Sequence, residues 1–358
     1  MPGAPSRRSY IDWLRGLAVL IMIEAHTLDA WTRAADRGTR AFGYGAILGG
    51  FAAPLFLFLA GVAVPLAMSA KQRRGADLHA ASRAVRRRGW EVFGLALLFR
   101  LQAKLLGGGG WHGLLKVDIL NIMGPAIAAS AAVLGAISGT RARAIVLGAA
   151  TAALALSTPA VRAASWPAPL PDFLEGYLRP RPGLTNFTFF PWAAFLTGGA
   201  CVGAVLAALR DEAAERRANL SFLAVGALLA VGGYAASFLP SPFPSSSFWT
   251  SSPAFFMLRA GLLLLALPLA FAWGRRPTAH HWSPVQQLGR TSLFVYWIHI
   301  EMAYGWLSRP WHRNLSLTGW MAAYAGFVIL LLFVSVLKDA LVRRWRSRTH
   351  PAAALTGA

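Results

Sequence analysis

Tyr10-Ile-Asp12-Trp-Leu-Arg15-Gly-Leu-Ala-Val-Leu-Ile-Met-Ile-Glu24-Ala-His26-Thr-Leu-Asp29-Ala-Trp31 is an apolar run interrupted by Asp12, Arg15, Glu24, His26 and Asp29. Its length matches the roughly 20 mostly apolar residues that cross a hydrocarbon core. At about 100° per residue, the eleven steps from Arg15 to His26 turn about 1100° and leave the two only about 20° apart. Asp12 and Asp29 fall within about 60° of that direction, whereas Glu24 points almost the opposite way. A charge in lipid costs several kcal/mol unless it is paired or lines a wet cavity, so this stripe is expected to face the interior of a helix bundle. With about 1.5 Å rise per residue, Arg15 and His26 stand roughly 16 Å apart along the axis. The reading places the arginine toward the cytoplasm and the histidine toward the outer half.

The rest of the chain repeats the apolar part of this pattern. Of 358 residues, 56% are hydrophobic and 14% charged, against about 25% charged in an average globular chain, and mean hydropathy is +0.48. This composition excludes a disordered, collagenous or disulfide-stapled secreted protein. Apolar runs fall at about 10–29, 46–68, 89–106, 118–137, 142–160, 189–209, 219–239, 253–273, 291–307 and 318–337. The expected fold is an all-α integral membrane protein with about ten transmembrane helices in one bundle. No linker or repeat divides it, so a single domain over 1–358 is expected, with a core at 7–337 and a basic cytoplasmic tail at 338–358.

The net charge of +21 raises the question of nucleic acid, and the placement of the bases answers it. Of 35 Lys+Arg, 22 fall in the N-terminus, even-numbered loops and tail and 10 in the odd loops, with Arg143 and Lys104 at span ends counted in the adjoining loops. The positive-inside rule then puts both termini in the cytoplasm, in a setting expected to be a bacterial inner (plasma) membrane. The clusters Arg83, Arg86, Arg87, Arg88 and Arg343, Arg344, Arg346, Arg348 read as anchors on anionic lipid, with no nucleic-acid partner. Arg86 and Arg87 could also take the phosphates of a donor. Ser6-Arg7-Arg8 resembles the start of a twin-arginine signal, but the run that follows has no small-residue cleavage site and reads as a retained helix. Cys201, the single cysteine, supports neither an internal disulfide nor a Cys-based metal site.

Clustered Pro and Ser mark residues 161–188 and 240–252 as external loops, and Gly107 to Gly110 as a turn. Those glycines lack the Lys-Ser/Thr of a phosphate loop. Pro54, Pro65, Pro125 and Pro191 interrupt spans and are expected as kinks.

An arginine, ten residues, then a histidine in the first helix resembles the signature of membrane acyltransferase family 3 in the transmembrane acyltransferase superfamily. Phe51-Ala-Ala-Pro54-Leu-Phe-Leu-Phe-Leu-Ala-Gly61, Asp118-Ile-Leu-Asn121-Ile-Met-Gly124, Phe190-Pro191-Trp192 and Leu288-Gly-Arg-Thr-Ser-Leu-Phe-Val-Tyr296-Trp-Ile-His299 resemble the heparan-α-glucosaminide N-acetyltransferase-like catalytic domain of the same superfamily. The resemblance extends over about 7–337. It implies transfer of an acyl group from cytosolic acyl-CoA (acetyl-CoA or another) to an extracytoplasmic glycan. Members with asparagine at the His26 position carry their proposed catalytic histidine in the following loop, where this chain has Arg37. The departure favours a mechanism built on His26.

The expected chemistry is metal-free acyl transfer. His26 removes the proton of a hydroxyl or amine acceptor, or takes the acyl group covalently. Asp29, one turn later, is expected to orient its ring. Arg15, beside Asp12, is expected to hold the donor's pyrophosphate or carbonyl, although Asp12 and Arg15 also fit an i,i+3 seam pair. Ser292, Tyr296 and His299 share a face of the ninth span, and His299 joins the catalytic candidates with Tyr296 as a binding one. Asp118 and Asn121 are either donor-binding or a helix cap. Arg100 and Arg259 need partners, for which Glu24 and Glu301 are the acidic candidates. His79, His112, His280, His281, His312 and His350 form no metal set. Membrane lipid is an expected partner, and a homo-oligomer is left open. The rival readings are a transporter or flippase using the same stripe, and a structural protein whose polar residues only fasten helices.

Overall fold

The computed structural model describes residues 8–107, 111–166, 169–243, 246–276 and 282–349. The Gly108–Gly110 part of the predicted turn, Ser6 and Arg7, Pro167, His280, His281 and His350 lie outside them. The described residues form helices, with isolated bridges at Thr32–Leu315 and Val117–Thr185 and no strand among them. They divide into two compact units.

The first unit, residues 53–273 with Arg8, holds α3 (Ala52–Arg73), α4 (Leu78–Gly107), α5 (Ile119–Ala136), α6 (Thr140–Ala163), α7 (Asp172–Leu178), α8 (Phe189–Ala208), α9 (Glu212–Ala236) and α10 (Pro253–Gly274). Water supplies no driving force between helices in lipid, so close backbone approach through small residues must do so. A Cβ on Gly61 of α3 would lie 1.9 Å from the Leu196 carbonyl oxygen of α8, and one on Gly199 would lie 1.9 Å from that of Phe58. Hydroxyls add to this, with Thr151 of α6 and Thr197 of α8 bonded at 2.9 Å. The second unit, residues 9–52 and 274–349, holds α1 (Ser9–Trp31), α2 (Arg40–Gly49), α11 (Pro284–Arg290), α12 (Ser292–Tyr304) and α13 (Leu317–Thr349). Here Gly16 and Gly289 let α1 and α11 touch, each lying where a Cβ would strike the other helix's backbone carbonyl within 2 Å.

A helix occupies each of the ten apolar runs, and among the described residues seven segments are long and apolar enough to cross a membrane. Three runs fall short of that measure for physical reasons. α1 carries four charges, α4 carries its arginine cluster with Arg100 and Lys104, and α12 has 13 residues. The second run is two helices, α2 and α3, separated at Gly50 and Phe51. Because α3 restarts at Ala52, Pro54 lies in its first turn, where a missing N–H breaks nothing, and the expected kink is absent there. Pro191 likewise lies in the first turn of α8, after the non-helical Phe190, whereas Pro65 and Pro125 are inside helices. The expected loop at 161–188 contains the short α7. Through the described part of the expected tail, α13 continues past Arg343 and Arg344 to Thr349.

Candidate active site

α1 is one uninterrupted helix from Ser9 to Trp31, so the spacing of Arg15 and His26 holds. α12 packs against its C-terminal half. The Trp31 indole donates to the Ala303 carbonyl at 3.0 Å, and beside it the Arg33 N–H donates to the Leu315 carbonyl while the Leu315 N–H donates to the Trp31 carbonyl, both at 2.9 Å. From the other side, Trp320 of α13 donates to the Thr27 hydroxyl at 3.1 Å. These contacts bring two histidines far apart in sequence together. His26 Nδ1 and His299 Nε2 are 2.8 Å apart, with ring centroids 5.0 Å apart and planes only 11° from parallel.

The proton positions follow from the partners. His299 Nδ1 lies 2.9 Å from the Val295 carbonyl, which can only accept, so that nitrogen carries a proton. In a neutral imidazole the other nitrogen is then an acceptor, and His299 Nε2 receives the Nδ1–H of His26. The lone pair of the pair therefore sits on His26 Nε2. His299 is fully buried and His26 partly exposed, so the free lone pair belongs to the less buried ring.

Tyr304 flanks His26 from the end of α12, with its ring edge-on at 5.8 Å and its hydroxyl donating to Asp29 at 3.0 Å. Arg37 also holds Asp29, through the backbone carbonyl and through the carboxylate at 3.4 Å. The orienting bond expected from Asp29 thus comes from His299 instead. The Asp29 side chain, 58% exposed, turns outward to Tyr304 and Arg37. Tyr304 carries no spacing signal relative to His26, and only the docking of α12 reveals it. Tyr296 stacks edge-on against His299 at 5.8 Å.

The remaining candidates are placed as follows. Asp12 and Arg15 pair at 3.5 Å in the i,i+3 arrangement, with Asp12 buried and Arg15 partly exposed. Glu24 is 6% exposed and faces α2, where Gly45 and Gly49 leave room for its carboxylate. In the first unit, Arg100 pairs with Asp118 rather than with the expected glutamates. Asp118 precedes α5, its N–H donates to Asn121 at 2.9 Å, and its second oxygen accepts from Asn186 at 2.8 Å. Asn121 donates in turn to the Tyr177 hydroxyl at 3.3 Å. Arg86 and Arg87 are exposed on α4, Arg87 pairing with Glu91 at 3.2 Å. Arg259 lies over the Phe255 ring at 4.1 Å.

Residues 7–236 match the family described as heparan-alpha-glucosaminide N-acetyltransferase, catalytic. The match takes in Arg15, His26, Asp118 and Phe190-Pro191 but stops short of the Leu288–His299 string, so the placement of His299 beside His26 rests on the geometry and not on the family match. No curated protein matches the chain. Membership implies acyltransferase activity at the general level, and the arrangement of a bare imidazole nitrogen on a membrane helix is one such chemistry can use. With more than half of its length matched, the chain belongs to the heparan-alpha-glucosaminide N-acetyltransferase catalytic family.

Proposed function

We propose that this chain moves an acyl group, acetyl in the first instance, from cytosolic acyl-CoA to a hydroxyl or amine of an extracytoplasmic glycan-like acceptor. The carrying observation is the carbonyl–His299–His26 chain, which leaves a lone pair on His26 Nε2. In the proposed step the acceptor O–H or N–H proton passes to His26 Nε2 as its oxygen or nitrogen attacks the thioester carbonyl. The C–S bond then breaks, and the leaving thiolate takes the proton back from the imidazolium. His299 fixes the tautomer and orientation of His26, a positioning part. Tyr304 restrains the ring's other flank, and the Asp29 carboxylate lies where it favours the transient positive charge.

Arg15, restrained by Asp12, is proposed to bind the donor's phosphates or carbonyl, because guanidinium matches oxyanions bidentately. Tyr296, against His299, is proposed to line the same site. Asp118 and Asn121 are engaged with Arg100, Asn186 and Tyr177, which supports a structural part for them over a donor-binding one. The proposed setting is a bacterial inner membrane with both termini inside.

The test reconstitutes purified protein with labelled acetyl-CoA and compares thioester consumption by wild type, His26→Ala and His299→Ala. Loss of at least about 100-fold is expected for His26→Ala, the scale of a general base. Full retention by both variants overturns the reading.

A further inference from the structure

In the first unit, where α6 ends and α8 and α10 begin, lies a pocket of about 190 Å³, several times the roughly 30 Å³ share of one water molecule. Its wall carries Arg162 and Arg259, the indoles of Trp192 and Trp249, and the polar side chains of Asn186 and Thr250, with no acid among its described lining residues. Both guanidiniums present positive charge to the same cavity.

Arg162 shows how its charge is met inside the protein. Its Nη2 donates to the Thr188 hydroxyl at 3.4 Å and to the Phe190 carbonyl at 3.2 Å, both neutral groups, and its Nε is buried with no hydrogen-bond partner among the described residues. A guanidinium withdrawn from water without an anion is costly. Arg259 lies over Phe255, which orients its plane and leaves the ring as an apolar wall. Guanidinium pairs grip phosphate and carboxylate, and indole faces cover a ring or an apolar body.

We infer that this pocket binds an oxyanion, a phosphate or carboxylate group, carried on a ring or an apolar body, with Arg162 and Arg259 as its charge-reading residues. The chemistry is shared by two sources, a soluble anionic sugar and an anionic lipid headgroup. The site is argued independently of acyl transfer at His26.

The test uses the full chain in phosphatidylcholine nanodiscs, titrated by calorimetry with inorganic phosphate, glucuronate and glucose. Saturable binding of an anion, about tenfold or more tighter than that of uncharged glucose, is expected. Arg162→Gln and Arg259→Gln are each expected to weaken anion binding about tenfold or more, and Arg162→Lys, which keeps the charge, less. A parallel arm uses phosphatidylglycerol nanodiscs with native mass spectrometry. Retention of that lipid by wild type but not by Arg162→Gln, with exclusion of soluble anions, assigns the headgroup as the source. Unchanged anion binding in both discs assigns the soluble one. If neither class of anion binds, or if the double glutamine variant binds as wild type does, the inference fails. Should the variants not fold, equal affinity of wild type for glucuronate and glucose overturns it.

Discussion

His26 and His299 function as one unit because a carbonyl at the far end decides the protons of both rings. The consequence is testable without removing the base. His299→Gln keeps an oxygen that can accept the His26 Nδ1–H and is expected to retain measurable turnover. His299→Leu leaves that proton without an acceptor and frees the ring to adopt the other tautomer, so kcat is expected to fall by about 10² to 10⁴ with little change in the donor's KM. Steady-state kinetics on the two variants separates this from simple loss of packing, which would lower both alike. A second residue-scale prediction concerns Arg100 and Asp118, both largely buried and paired. Removing one partner strands a charge, so Arg100→Met is expected to destabilise the protein by about 3–5 kcal/mol, while Arg100→Met with Asp118→Leu recovers much of that. Thermal melting in detergent reads both.

Among elements, contact between α3 and α8 depends on glycines that leave no room for a side chain. Gly61→Val is expected to cost more than the roughly 1–3 kcal/mol of ordinary overpacking, because the obstacle is a backbone carbonyl that cannot swing aside. Gly94→Ala, with open space around it, is the control and should melt like wild type. Beyond the C-terminal end of α1, Asp36 ties the start of α13 to the loop before α2. Its carboxylate accepts from the Arg33 side chain at 3.1 Å and from the Leu317 N–H at 2.9 Å. The Arg33 bond first, and the Leu317 bond after it, hold its carboxyl below the usual range. A depressed carboxyl stabilises fully above the unfolded value near 4, and the contribution disappears as pH falls through the folded value. The protection factor of the Leu317 amide, the intrinsic exchange rate divided by the observed rate at the same pH, is therefore expected to fall on acidification in wild type, and to be low at every pH in Asp36→Ala.

For the whole molecule, the number of crossings decides where the termini lie. Seven apolar segments alone would place them on opposite sides, whereas counting α1, α4 and α12 makes ten and places them together. We expect ten, because the charges that disqualify α1 and α4 include those paired inside the protein, Asp12 with Arg15 and Arg100 with Asp118. With Cys201 replaced by serine, single cysteines near each terminus should react with an impermeant maleimide in the same vesicle orientation. Reaction in opposite orientations would refute the count.

What the sequence by itself determined was local. Helix geometry is set by neighbouring residues, so the shared face of Arg15 and His26, the opposite direction of Glu24 and a helix at each of ten apolar runs could all be read from spacing. The pairing of Asp12 with Arg15 belongs to the same class, three residues apart on one turn. Only the tertiary structure decided which group orients His26, because His299 lies 273 residues away and meets it through the docking of α12 on α1. The same holds for Tyr304, for Asp118 as the partner of Arg100, and for the pocket between Arg162 and Arg259. A hydrogen bond acts over about 3 Å, and no periodicity along the chain encodes which distant helix will come that close.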